Sequence, residues 1–92
     1  MTQQYLVGEL SSLLGGLQPT PGVSLGEAVG NLRHEVEFSS LRKLPTLAQR
    51  ALDLTDLVCR AALEEGDADA FCRCVGTAIA LRDFAVSASL LP

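Results

Sequence analysis

From Ala68 to Leu91 the chain offers one long helical stretch that is apolar on almost every side, broken by only four formal charges: Asp69, Arg73, Arg82 and Asp83. A helix of that kind has to be covered all round, inside a bundle or by another molecule. Arg82 sharpens the constraint, because it falls in the middle of the greasiest face, among Phe71, Val75, Ala78, Ile79 and Val86. The pattern points to an assembly module rather than a free-standing catalyst.

Ninety-two residues make one domain, 1–92, with room for a single core layer between three or four helices. Yet 48% of the residues are apolar and only 20% charged, with a mean hydropathy of +0.28. That is more apolar surface than one small core uses, so part of it is expected to face a partner. The formal net charge of −4 and the four aromatic residues argue against nucleic-acid binding, which needs a basic field and stacking platforms. Met1–Tyr5 carry no positive charge, and the apolar residues that follow are broken by Gly8, Glu9 and two serines, so no secretory signal is expected. No uncharged apolar run reaches the roughly 18–20 residues of a membrane span. The expected setting is the cytoplasm, and the Ala/Leu/Arg/Asp-rich, lysine-poor style is that of a bacterial source.

Periodicity divides the chain into helices at about 2–15, 24–38, 45–65 and 67–90, separated by short joints. In the first, Leu6, Leu10, Leu13, Leu14 and Leu17 form one stripe with Val7 at its edge, and Ser11 and Ser12 take the other side. Gly15-Gly16 ends it, and Pro19 and Pro21 hold residues 15–23 extended as a linker. Ser24-Leu-Gly-Glu27 matches a capping box at the start of the second helix. Leu25, Val29, Leu32 and Val36 then make a narrow stripe, which Phe38 and Leu41 leave. Gly26 and Gly30 are expected to let a neighbouring helix approach closely.

Pro45 suits the first turn of the third helix. Its apolar residues Leu47, Ala48, Ala51, Leu54, Val58, Cys59, Ala62 and Leu63 spread over more than half the circumference. Arg50, Asp53, Asp56, Arg60 and Glu64 share the opposite face, with Leu57 alone among them. Gly66 suits a helix C′ position and Asp67 an N-cap. So short a joint forces the last two helices into an antiparallel hairpin around Gly66. The expected fold is all-α, a compact antiparallel bundle of about four helices.

Groups able to carry chemistry are few. Cys72 and Cys74 are two apart on a helix and point roughly 200° apart, so they cannot share a metal ion and are expected to be small buried residues. Cys59 and Cys72 stand at similar height across the hairpin and are expected to pack together, reduced. His34 sits on a polar face with no nucleophile beside it, and no catalytic, phosphate-loop or zinc motif is present. No metal and no cofactor are expected.

Arg82 admits three explanations: a stem on the core with its head in solvent, a carboxylate partner in this chain or a second copy, or an anionic ligand. Charge is also uneven along the chain. Arg33, Arg42, Lys43 and Arg50 gather near the second joint, and Glu64, Glu65, Asp67 and Asp69 at the later hairpin tip.

The function these features imply is a small non-catalytic protein–protein interaction module, an adaptor, regulator or accessory subunit, self-associating as a homodimer. Its contact surfaces are expected to use the excess apolar area of the last helix, with Phe38, Leu41, Leu57 and Phe84 as interface candidates. The alternative is a bundle that binds a small anionic ligand through Arg82.

Overall fold

The computed structural model describes residues 2–17 and 25–91. They contain four α-helices, α1 (Gln3–Gly15), α2 (Gly26–Glu37), α3 (Leu44–Glu64) and α4 (Ala68–Ser87), with a single 3-10 turn at Leu41–Lys43 leading into α3. Among the described residues there is no strand. The radius of gyration, 12.7 Å, is what a compact chain of this length should have.

Each helix packs against the next, and α4 closes the ring against α1. Side-chain contacts fix the directions. Gln3 donates to the Ser39 carbonyl at 2.9 Å, and Ser11 donates to Glu37 at 3.1 Å, so α1 and α2 run antiparallel. Arg50 pairs with Glu35 across α2 and α3. The end of α1 lies beside Thr77, midway along α4, so α3 and α4 run on past it toward their shared tip.

That tip is built by helix-end chemistry. Gly66 adopts φ +71°, and its N–H bonds the Leu63 carbonyl while the Asp67 N–H bonds that of Ala62, closing a Schellman motif. Asp67 then caps α4 by accepting from the Ala70 N–H at 3.1 Å. At the chain's other end Thr2 caps α1 through the Tyr5 N–H. Residues 18–24, which hold most of the linker and Ser24 of the capping box, lie outside the described residues.

The core is one cluster. Leu6, Leu10, Leu14 and Leu17 come from the first segment, Val29, Leu32 and Val36 from α2, Leu44, Leu47, Ala48, Ala51 and Val58 from α3, and Cys74, Leu81 and Ala85 from α4. The stripes of α1 and α2 thus pack as their spacing predicts. Several positions differ. Ser11 is buried, because its hydroxyl has Glu37 to bond. Leu63, near the narrow hairpin tip, is 65% exposed. Gly26 and Gly30 face open space, with nothing within 4 Å of where a Cβ would stand, so neither serves helix approach. At Gly15 the Arg33 guanidinium lies 3.1–3.3 Å from the position a Cβ would take, so the missing side chain there makes room for an arginine head and not for a neighbouring helix.

The thiols are also arranged differently from expectation. Cys74 is buried, with Cys59 half-buried beside it, while Cys72 is exposed. A helix step of two residues sends Cys72 out when Cys74 goes in, so the hairpin pairs Cys59 with Cys74 and not with Cys72.

Candidate interaction surface

The apolar face of α4 that carries Arg82 turns away from the core. Four small or compact residues, Ala70, Cys74, Leu81 and Ala85, seat the helix on its neighbours. That leaves Val75 37%, Ile79 59% and Val86 46% exposed, with Phe71 half-buried at the edge. Arg82 is exposed among them and makes no ion pair among the described residues. Its stem needs no buried partner, because its face is not inside the fold.

Beside this face lies an open groove of about 590 Å³ between α3 and α4. Leu52, Ala78, Ile79, Val86 and Leu91 give it apolar walls, and Gln49 and Arg82 are its polar lining residues. One exposed guanidinium in an open groove holds an anion weakly, since water competes for both charges.

Two further apolar positions lie at the α2–α3 end. Phe38 is 77% exposed and stacks its ring on His34 at 4.8 Å, tilted by 52°. Leu41 is half-exposed nearby, and Lys43 and the paired Arg50–Glu35 border the groove under Phe38. Leu57 stands exposed over a shallow depression lined by Ala28, Leu32 and Leu54. Phe84 is half-buried and packs against the core, so it offers only part of its ring. The candidates therefore do not form one patch: Phe38 and Leu41 share the end of α2, Leu57 faces the α2–α3 groove, and Arg82 belongs to α4.

In the sequence Val75, Ile79 and Val86 stand out as the apolar face around Arg82 and as part of the excess to be covered, with no mark of which side of α4 turns outward. An all-round apolar helix gives no sign of which side faces inward, and the choice falls to packing against α3 and α1.

Among the buried polar groups, Thr55 is fully enclosed and its hydroxyl donates to the Ala51 carbonyl at 2.7 Å. Cys74 Sγ donates to the Thr55 carbonyl at 3.3 Å. Burial first, then hydrogen bonding with Cys59, pushes the Cys74 thiol up to about 12. A thiol held protonated is a poor nucleophile and a poor metal ligand. Among the described residues no group of three His, Cys, Asp or Glu side chains converges as a metal site, and no helix is long and apolar enough to cross a membrane.

Compared with family models, with curated proteins and with solved structures, the chain matches none.

Proposed function

We propose that this chain is a small non-catalytic interaction module that works by protein–protein association, with a second copy of itself as partner. One observation carries the proposal. Among the described residues eight large apolar side chains are exposed, including Phe38, Leu57, Ile79 and Val86. Three of these, Val75, Ile79 and Val86, lie along one helix face. A contiguous apolar strip of that kind is the mark of a contact surface. The setting proposed is the cytoplasm of a bacterium, where the free thiols would stay reduced.

Sedimentation velocity over a concentration series tests the proposal. A mass of twice the monomer, rising with concentration, is the expected result. A monomer throughout would overturn self-association.

A second reading, binding of a small anion at Arg82, is favoured by the size of the adjoining groove, which lies within the range of ligand sites. Its openness and its single cation weigh against it. Titration with inorganic phosphate and a short carboxylate, followed by amide chemical shifts around Arg82, separates the two readings.

A further inference from the structure

We infer that Cys59 and Cys74 form an oxidation site, where hydrogen peroxide converts two resting thiols into a disulfide that ties α3 to α4. The inference goes beyond the self-association reading and stands or falls without it.

The hairpin itself brings the two sulfurs together. Cys59 and Cys74 lie at nearly equal distance on either side of Gly66, so antiparallel α3 and α4 place them at similar height. Cys74 Sγ is 3.3 Å from the Thr55 carbonyl oxygen, which inside α3 is also the acceptor for the Cys59 N–H one turn on. A helical Cβ leans toward the N-terminus, so the Cys59 side chain lies over that same turn. Cys74 belongs to the core cluster, Cys59 packs against it, and the two thiols hydrogen-bond each other. From that arrangement a disulfide asks for a sulfur shift of about 2 Å, within reach of side-chain rotation. Cys72 has no such neighbour, because a helix step of two residues turns its thiol out to solvent.

The pair is asymmetric, and the asymmetry sets the order of events. Cys59 is half-buried and open to a small oxidant, while Cys74 is buried and its thiol is held protonated. Peroxide reacts with thiolates, so it meets Cys59 first. The Cys59 thiolate attacks one peroxide oxygen and the O–O bond breaks. Cys59 becomes a sulfenic acid, and the hydroxide released takes up the Cys59 proton as water. The Cys74 sulfur then attacks the Cys59 sulfur, its proton passes to the departing hydroxyl, and a second water leaves. Two thiols lose two electrons in all, and one peroxide becomes two waters. The second step is the slower, since Cys74 starts protonated, but its sulfur is already in place beside the sulfenic acid. The bond closes the loop from residue 59 to residue 74 around the hairpin tip. It thereby fixes on α3 the helix whose outward face carries Val75 and Ile79.

The test uses the whole chain with Cys72→Ser, which removes the exposed thiol and the links it could form between molecules. Reduced protein is treated with hydrogen peroxide, the remaining thiols are alkylated, and tryptic peptides are read by mass spectrometry. Cleavage at Arg50, Arg60, Arg73 and Arg82 places Cys59 in residues 51–60 and Cys74 in residues 74–82, so a link is read directly. The expected product joins these two peptides within one molecule and returns to two thiols with dithiothreitol. It should melt higher than the reduced form by on the order of 10 °C, because the bond restricts the unfolded chain. With Cys74→Ala added, Cys59 should instead end as sulfenic or sulfinic acid.

Cys59 carried to sulfinic acid while Cys74 stays free overturns the site, since the two sulfurs then fail to meet. A link found only between molecules does the same. So does an oxidised monomer that melts below the reduced one, because the hairpin must then distort to close the bond. Both thiols left free under peroxide that fully oxidises Cys72 in the unsubstituted chain also overturn it.

Discussion

Ser89 holds at the end of α4 the place that Gly66 holds at the end of α3, each with positive φ, +60° and +71°. The hydrogen bonds are the same in kind: the Ser89 N–H reaches the Val86 carbonyl and the Leu90 N–H that of Ala85, just as Gly66 reaches Leu63 and Asp67 reaches Ala62. The left-handed residue at Ser89 turns Leu90 back onto the core, where it is only 8% exposed. A residue with a Cβ is strained in this conformation and glycine is not. Ser89→Gly should therefore stabilise the domain by about 0.5–1 kcal/mol, and Gly66→Ala should destabilise it by about 1 kcal/mol. Urea denaturation of the two variants checks both signs; the same sign for both would contradict the assignment.

Gly30 sits inside α2 with open space where a methyl group would go. Nothing in the fold uses its missing side chain, while its backbone freedom in the unfolded chain opposes folding. Gly30→Ala should raise stability by about 0.5–1 kcal/mol. A loss of stability in thermal denaturation would mean that some contact comes close to this position after all.

These cases show what the sequence carries and what it leaves to packing. Helix ends such as the hairpin tip are legible because their chemistry is local: Asp67 and Gly66 act through backbone groups three to five residues away. The stripes of α1 and α2 are legible because polar residues oppose them. In α4 no such contrast exists, so the side turned outward with Ile79 and Arg82 is settled by how small residues such as Ala70 and Ala85 fit their neighbours. Ser11 and Thr55 escape sequence reasoning for a related reason. Each hydroxyl is satisfied on the spot, by Glu37 and by the Ala51 carbonyl, and a satisfied hydroxyl can be buried at small cost. Arg82 reads from the sequence as a charge on a face that must be covered, yet within the chain it is exposed.

Cys74 makes stability depend on pH on the alkaline side. Its thiol is raised from an ordinary value of 9.0 to about 12, chiefly by burial. Below pH 9 the thiol is protonated in folded and unfolded chains alike, and the folded state loses nothing. Between 9 and 12 only the unfolded chain releases the proton, so stability falls as pH rises, by at most about 1.4 kcal/mol per pH unit. Cys74→Ala removes this contribution, and the wild type minus variant difference in urea midpoint should narrow across that window. The same burial predicts labelling order: Cys72 reacts promptly with iodoacetamide in the native protein, and Cys74 only on unfolding. Native-state alkylation of Cys74 as fast as that of Cys72 would contradict the packing described.

Thr55 offers a test of the core at the α3–α4 seam. Its side chain is fully enclosed, and its hydroxyl bonds the Ala51 carbonyl, which as a helix-interior group already has a backbone partner available at the following turn. Thr55→Val keeps the shape, loses a side-chain hydrogen bond of modest net value and replaces a buried hydroxyl by a methyl group. The desolvation relieved exceeds the bond lost, because the carbonyl does not become an orphan. Stability should rise by about 0.5–1 kcal/mol. Thr55→Ala instead leaves a small void among Cys74 and the neighbouring core residues and should cost about 1–2 kcal/mol. The bond from Cys74 Sγ runs to the Thr55 backbone carbonyl, so both variants keep it, and slow labelling of Cys74 should persist in each. If Thr55→Val were the more damaging of the two, the hydroxyl would have a structural role beyond its bond to Ala51, and the seam would be polar by necessity.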